Sequence, residues 1–264
     1  MFEKARERHK DDEFRYLIGS IADKYEFCKK RNKIEYSDFL DNTQIHHIEK
    51  MLKEEKITNY VLYGVAPEAD RKVLLFYPEK IDISMLEKNY KNVFNVIKIT
   101  LPVGLNYEHR EYLSGIMKLG IKREKFGDIV VSKGEADIIC LAEIANTLVD
   151  GLKGLTRFKK AQIEITDISK LTIKEKQFEE KSIIVSSIRL DNFVSEIAKT
   201  SRKNSCGIIE EGRVLLNYVV EYKPSKKLEI GDIITVRGKG KFIFDRIERT
   251  TRSDNIVVIL KKYI

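Results

Sequence analysis

Basic residues stand at the ends of the predicted elements between residues 189 and 217. They are Arg189, Arg202, Lys203 and Arg213. Ser201 is a natural N-cap for the helix that Arg202 and Lys203 begin, and cations at a helix N-terminus oppose its dipole at a cost of about 0.3–1 kcal/mol. Free backbone N–H groups, a serine hydroxyl and two cations at one helix start form a site suited to an anion. The spacing therefore predicts a phosphate-binding surface.

Neighbouring polar residues extend this hypothesis. Asp191 falls in the first turn of the preceding helix, where the dipole favours a carboxylate and from where it can hold Arg189. Asn217 follows a short apolar run at a strand-to-strand turn, where asparagine is usually structural because it tolerates positive φ. A Gly-rich turn farther on adds Lys239 and Lys241 to the candidate phosphate-binding residues. We expect the short helix pair to present these residues on one surface.

The distribution of charge favours a polyanionic partner. The net charge is +8, and residues 182–264 hold 16 Lys and Arg against 10 Asp and Glu, whereas residues 1–181 hold 33 against 31. With no basic amphipathic helix, nucleic acid is favoured over lipid, although composition does not choose between DNA and RNA. For a single pair of cations, extension into water is the simpler interpretation. Here that interpretation must also account for Arg189 and Arg213.

Catalytic and metal chemistry find little support in the sequence. The phosphate-cradling motif G-x-x-x-x-G-K-[ST], the dinucleotide motif G-x-G-x-x-G and the nucleophile elbow G-x-S-x-G are all absent. The histidines lack metal-ligand spacing, and the cysteines are far apart, without a CxxC pair. We therefore expect no catalytic residue, no cofactor and no metal. The residues concerned are His9, His46, His47, His109, Cys28, Cys140 and Cys206.

The length of 264 residues allows two or three domains of an α+β protein. No apolar run of about 18 residues could span a bilayer, and the start, MFEKARERHKDDEF, is too charged for a secretory signal. The sequence therefore predicts a cytoplasmic protein that does not bind membranes.

The first two thirds of the chain show two different periodicities. Apolar spacing predicts a helical N-terminal region over 1–58, with a second helix from near Ser37. A hairpin is predicted at 59–65 and 72–78. Six further elements then follow in the order β-α-β-β-α-β of a ferredoxin-like, RRM-like domain over 59–168. They are the strand 95–102, the helix 108–121, the strands 128–132 and 136–141, the helix 141–152 and the strand 161–166.

A charged, irregular segment, 169–181, is the predicted linker to a C-terminal domain over 182–264. Leu190, Phe193, Val194 and Ile197 recur at helical spacing, which predicts a helix with one apolar face. The predicted helices are 190–198 and 202–211, and the predicted strands are 213–222, 231–237, 241–248 and 255–263.

This C-terminal pattern resembles the S4 RNA-binding domain. The motifs R-L-D, S-R, I-I-E-E-G-R-V-L-L-N, K-P-S and G-D-I-I-T-V-R-G match across 187–245. In that family the two helices and the following strand bind structured RNA. Tyr218 departs from the family, because most S4 domains have glycine there, and Gly207 interrupts the second helix at a cost of about 1 kcal/mol. The resemblance assigns RNA binding to Arg189, Asp191, Ser201, Arg202, Lys203, Arg213 and Asn217.

The preceding segment is similar to the middle domain of the YlmH-type RNA-binding proteins. The stretches HREYLSGIMKLGIKREKFGDIVVSKGEADI and TRFKKAQIEI carry this resemblance, which extends over nearly the whole chain and is weakest over 1–60. It implies a helical N-terminal region, a ferredoxin-like middle domain and a C-terminal S4 domain. The central strands of the middle domain lack the stacking aromatics of the RNP motifs, so base stacking there is not expected. The loop KREK (122–125) is either a second phosphate contact or a solvated turn.

The resemblance implies a non-catalytic, ribosome-associated factor of bacterial ribosome quality control, with a further link to cell division. We expect it to bind structured rRNA of the large ribosomal subunit, with peptidyl-tRNA as a second contact, no DNA, and a monomeric state. Two alternatives stay open. One is an RNA-modifying enzyme of the pseudouridine synthase or methyltransferase type, since S4 domains are often joined to such enzymes. The other is an interaction module of the division machinery, with an incidental basic end.

Overall fold

The chain divides into two units, Met1–Lys174 and Glu175–Ile264, in the computed structural model. Both combine helices with antiparallel sheets, so the predicted α+β class is confirmed. The structure describes residues 2, 12–64, 69–79, 93–168, 171 and 178–263.

From residue 12 onwards, the described part of the first unit starts with two helices around a strand. Helix α1 (Asp12–Arg31) is followed by strand β1 (Glu35–Asp41) and helix α2 (Asn42–Glu54). The predicted helix start near Ser37 is wrong, because residues 35–41 pair with a later strand. Helix α2 instead begins after Asp41, whose carboxylate accepts a 2.9 Å hydrogen bond from the Gln44 N–H while the Gln44 amide oxygen accepts from the Asp41 N–H. This capping box fixes the boundary between strand and helix.

The predicted hairpin is formed by β2 (Tyr60–Tyr63) and β3 (Arg71–Phe76), which pair antiparallel. Strand β1 pairs with the other edge of β3, giving a three-stranded sheet in the order β1-β3-β2. The hairpin therefore forms a sheet with the N-terminal segment and not with the strands that follow it.

The next part of the first unit has the predicted element order β-α-β-β-α-β, which is confirmed. Its four strands form an antiparallel sheet in the order β5-β6-β4-β7, the strand order of a split β-α-β unit. The elements are β4 (Phe94–Thr100), α3 (His109–Lys118), β5 (Phe126–Ser132), β6 (Glu135–Leu141), α4 (Ala145–Gly154) and β7 (Gln162–Thr166).

The two sheets of the first unit pack face to face between two layers of helices. Strand side chains alternate between faces, so Leu74 and Phe76 of β3 pack against α1 and α2, whereas Val73 and Leu75 pack against the four-stranded sheet. In that second sheet, Ile139 of β6 contacts the first sheet, while its neighbours on the strand face α3 and α4. The described part of the unit is therefore a four-layer α-β-β-α stack.

The second unit contains helices α5 (Leu190–Ala198) and α6 (Arg202–Glu210), and both helices were predicted within one residue of their bounds. They pack on a six-stranded sheet in the order β10-β9-β11-β12-β13-β8. The strands are β8 (Phe178–Val185), β9 (Val214–Leu216), β10 (Val219–Val220), β11 (Ile233–Val236), β12 (Gly240–Thr250) and β13 (Ile256–Tyr263).

Two features of this sheet differ from the prediction. The segment 213–222 is a hairpin of β9 and β10 and not one strand, because Asn217 and Tyr218 adopt positive φ between them. Strand β8 was not predicted. It pairs along its whole length with β13 and begins at Phe178, within the segment interpreted as a linker; most of 169–181 lies outside the described residues.

Candidate nucleic-acid interface

One buried carboxylate holds two arginines at the starts of α5 and α6. Asp191 accepts hydrogen bonds from Arg189 at 3.1 Å (Nε) and 2.8 Å (Nη2), and from Arg202 Nε at 3.0 Å. The Asp191 side chain is 1% exposed, whereas those of Arg189 and Arg202 are 35% and 56% exposed. The cluster therefore carries a net charge of about +1 and directs its cationic part towards solvent.

The charge of Asp191 is stabilised in this position. Burial raises the pKa of the carboxyl, but the hydrogen bonds and charges of Arg189 and Arg202 outweigh it, so the pKa of Asp191 lies below its ordinary value. The expected contact of Asp191 with RNA does not fit this geometry, because its carboxylate faces two guanidinium groups and is closed off from solvent. Its role in the geometry is to position Arg189, as the sequence suggested, and Arg202 as well.

The backbone around the cluster is anchored to the turn at 223–227. The N–H groups of Leu190 and Asp191 donate to the carbonyls of Lys226 and Pro224 at 2.9 and 3.0 Å. The Ser205 hydroxyl of α6 donates to the Asp191 carbonyl at 2.9 Å, which ties the two helices together. These bonds fix the separation of the helix starts, so the two guanidinium groups are held before any ligand arrives.

The start of α6 has the predicted cap. The Ser201 hydroxyl accepts from the Asn204 N–H at 3.2 Å, and Ser201 has the extended backbone of an N-cap. Lys203 follows Arg202 in the first turn and is exposed. Ser201, Arg202 and Lys203 thus share one exposed helix end, as the sequence indicated.

Arg213 lies at the end of the sheet beside the turn between β11 and β12. Its carbonyl accepts from the Arg237 N–H at 3.0 Å, and the Lys239 N–H closes the turn on Val236 at 2.9 Å. Arg213 also forms a 3.6 Å ion pair with Glu211, in which both side chains are half or more exposed. This sheet end therefore brings together Arg213, Arg237 and Lys239.

The side chain of Asn217 forms hydrogen bonds within the protein. Its amide nitrogen donates to Asp232 Oδ1 at 2.7 Å and its amide oxygen accepts from the Ile233 N–H at 2.9 Å. Its φ of 49° is followed by 69° at Tyr218, the left-handed pair that a two-residue type I′ hairpin requires. This is the structural role that asparagine usually has at such a turn.

Lys241 departs from the expected common surface. It lies on β12 and points to the face opposite to Phe242, whose side chain packs in the core beneath the helices. Its ammonium lies 4.7 Å from the ring centre of Tyr218 and 4.5 Å from that of Tyr263. The prediction that the helix pair presents all the basic residues together is therefore wrong for Lys241.

Two lysines outside the set predicted from the sequence lie close to Arg189. Lys227 forms an isolated antiparallel bridge with Arg189, and Lys226 precedes it in the turn that anchors α5. Both lysines are exposed. The sequence feature that could have identified them is the pair of lysines after the K-P-S turn. Only the folded chain shows that this turn lies beside the start of α5.

The loop KREK in the first unit has internal partners. Arg123 donates to the carbonyls of Phe126 and Gly127 at 2.6 and 3.1 Å. Lys125 pairs with Asp38 and Glu143, both at 2.9 Å. The loop was interpreted either as a second phosphate contact or as a solvated turn. A phosphate would have to compete with these internal bonds for Arg123 and Lys125.

Within the described parts of the chain, no group of three or more His, Cys, Asp or Glu residues is placed to hold a metal ion. In the same parts, no helix has the length and apolar character needed to cross a membrane.

The chain is similar to known proteins over most of its length. Residues 82–172 match a family model described as "Putative RNA-binding domain in YlmH". The chain is 28% identical over 244 residues to the ribosome-associated protein quality control protein P2 of Bacillus subtilis, covering 91% of each chain. A solved structure, the cell division protein ylmH from Streptococcus pneumoniae, has a TM-score of 0.46 and 17% identity, covering 61% of this chain and 96% of that one. The predicted resemblance to the YlmH-type proteins is confirmed.

Proposed function

Because this chain resembles the YlmH-type proteins over 91% of its length, we propose that it is a non-catalytic RNA-binding protein of the bacterial ribosome. Its second unit, as an S4-like domain, docks on structured rRNA of the large subunit. Peptidyl-tRNA is the second contact, and quality control of stalled nascent chains is the process. The protein acts as a monomer in the cytoplasm.

The observation that carries this proposal is the shared carboxylate. Arg189 and Arg202 are fixed on Asp191, so their orientation costs little entropy when a phosphate binds. Guanidinium groups suit phosphate oxygens because their planar donors can bind in pairs. A-form RNA presents phosphates and 2′-hydroxyl groups on a regular surface that such a rigid cluster can recognise without reading bases.

The similar proteins and the charge of the second unit support the ribosome as the proposed binding partner. The family model is described as RNA-binding, and the Bacillus subtilis relative is named as a ribosome-associated quality control protein. Most of the excess of Lys and Arg lies in residues 182–264, which contain the arginine cluster. Together these features favour ribosomal RNA as the partner over small free anions.

The test is binding to purified bacterial large ribosomal subunits and to their extracted rRNA over a range of salt concentrations. Replacing Arg189 or Arg202 with Gln should lower the slope of log K against log salt by about one unit for each phosphate that the variant no longer neutralises. Arg249→Gln is the matched control, because Arg249 is an exposed arginine of the same unit on β12. Unchanged slopes in both cluster variants would overturn the proposal.

The non-catalytic part of the proposal has a separate test. Mass analysis of rRNA from a strain lacking this protein should show the complete set of modified nucleotides. A missing modification would favour the RNA-modifying enzyme that the sequence left open.

A further inference from the structure

The first unit closes the sheet face that RRM-type domains use for RNA. Phe94 of β4 and Ile139 of β6 pack against Phe39 and Val73 of the three-stranded sheet. The approach is close enough that a Cβ added to Gly127 of β5 would lie 2.6 Å from the Phe39 ring. RRM domains stack bases on aromatic residues of this exposed face. Here the face is an internal interface between two sheets, so RNA has no access to it.

The opposite side of the four-stranded sheet carries α3 and α4, and a cavity of about 290 Å³ opens there. It lies where the end of α3 meets the chain that leaves α4. Its lining residues are Gly115, Lys118, Leu155, Thr156 and Arg157. We call it the helix-layer cavity.

Arg157 is held at the edge of this cavity by the fold. Its Nη1 donates to the Glu111 carbonyl of α3 at 2.9 Å, and its guanidinium lies 5.8 Å from the ring centre of Tyr107. The Tyr107 hydroxyl donates in turn to the Arg157 carbonyl at 3.2 Å. The remaining donors of the guanidinium can therefore bind a ligand without first ordering the side chain.

The charged residues that line the cavity, Lys118 and Arg157, are both basic. The segment 153–160 contains Lys153, Arg157, Lys159 and Lys160 and no carboxylate. Among the described residues, neither Lys118 nor Arg157 is paired with a carboxylate. Lysines in the last turns of α3 and α4 stabilise the helix dipoles, but that effect does not extend to Arg157, which follows the helix end.

We propose that the helix-layer cavity is a second RNA contact, which receives a backbone phosphate between Lys118 and Arg157. Lys118 and Arg157 neutralise the phosphate, and the hydroxyl of Thr156, an exposed residue, can donate to one of its oxygens. The inference rests on the proposed function, because the phosphate belongs to the RNA that the second unit binds. It gives the matched domain, residues 82–172, a contact on its helix layer.

The test is the salt dependence of binding to extracted large-subunit rRNA, with the full chain carrying Lys118→Gln and Arg157→Gln. In the double variant the slope should fall by about one unit, because one phosphate is no longer neutralised, and near 0.1 M salt the affinity should fall about fivefold to tenfold. Arg157→Lys alone should retain most of the slope, since it keeps the charge. The control is Lys50→Gln with Lys53→Gln, two exposed lysines of α2 in the opposite outer layer.

A measurement on the unaltered protein covers the case in which the double variant fails to fold. Lysine acetylation followed by mass spectrometry should show Lys118 protected by rRNA, with Lys53 reacting equally in its presence and absence. Equal reactivity of Lys118 with and without rRNA would overturn the inference, as would an unchanged slope in a folded double variant.

The outcomes separate this inference from the proposed function. If Arg189→Gln and Arg202→Gln lower the slope and the cavity variants do not, the inference fails and the proposed function stands. If only the cavity variants lower it, the docking role of the second unit fails. If neither pair has an effect, both fail.

Discussion

In the first unit one lysine forms ion pairs with two carboxylates, whereas in the second unit one carboxylate forms ion pairs with two arginines. Lys125 lies 2.9 Å from both Asp38 and Glu143, and the hydrogen bonds they accept outweigh burial and raise its pKa. This group has a surplus of negative charge, and it fastens β1 to the segment after β6. Its cation is satisfied within the protein.

The second cluster has the opposite surplus. Asp191 is almost fully buried, and its two partners reach solvent with donors to spare. A phosphate that approaches Arg189 and Arg202 meets a positive group whose geometry is already set. A structural ion pair therefore differs from a surface suited to an anion in two properties: the ratio of cations to carboxylates, and which of the two is buried.

The largest effect that tests this comparison comes from Asp191→Asn. The variant keeps the shape but leaves two close guanidinium groups without their counter-charge, so we expect a loss of about 2–4 kcal/mol in the free energy of unfolding. Denaturant unfolding read by hydrogen exchange of β13 would measure the second unit by itself. Asp254→Asn, at an exposed loop carboxylate of the same unit, is the control. A loss below about 1 kcal/mol would show that the cluster is not a stabilising element.

The second prediction concerns pH. The pKa of Asp191 is lowered in the folded state, so between the folded value and the ordinary value of about 3.9 the unfolded chain binds more protons. The stabilisation is therefore present above about pH 4 and is lost as pH falls through the folded pKa. We expect the stability difference between the natural protein and Asp191→Asn to shrink as pH falls below about 4, measured by the same exchange. A difference that stays constant over this range would contradict the assignment of charge to Asp191.

Lys125→Met is expected to have a smaller effect of a different kind. Its partners are partly exposed, so the loss of both pairs should cost about 1 kcal/mol in the stability of the first unit. RNA affinity and its salt slope should be unchanged, because this cation is already satisfied. Filter binding to large-subunit rRNA measures the slope, and a decrease of about one unit would mean that Lys125 exchanges its carboxylates for phosphate.

Local patterns predicted most of the individual elements. The spacing of Leu190, Phe193, Val194 and Ile197 identified α5, and Ser201 identified the start of α6, because amphipathic periodicity and capping act within a few residues. Strand β8 was missed because its pairing with β13 joins residues that are distant in the sequence, such as Phe178 and Tyr263.

The sequence selected candidate residues for the site but could not give their geometry. The contact of Asp191 with Arg202 depends on how α5 and α6 pack, which the spacing of either helix does not fix. The opposite orientation of Lys241 depends on strand register, because a shift of one residue would move it to the helix side of the sheet. Covering of the middle sheet by β1 and β3 likewise depends on packing between distant segments.

The smallest expected effect concerns Lys241. Unlike Lys125 and the two arginines of the Asp191 cluster, this cation lies against aromatic rings, those of Tyr218 and Tyr263. Tyr218 has φ of 69°, which costs about 1 kcal/mol for a residue with a side chain, while its ring contact with Lys241 returns about 0.5–1 kcal/mol. Tyr218→Gly should therefore change stability by less than about 1 kcal/mol, whereas Tyr218→Ala keeps the strain and loses the ring. The Gly variant should exceed the Ala variant by about 1 kcal/mol in hydrogen exchange of β9. Equal stability of the two variants would show that the positive φ at residue 218 has no free-energy cost for a residue with a side chain.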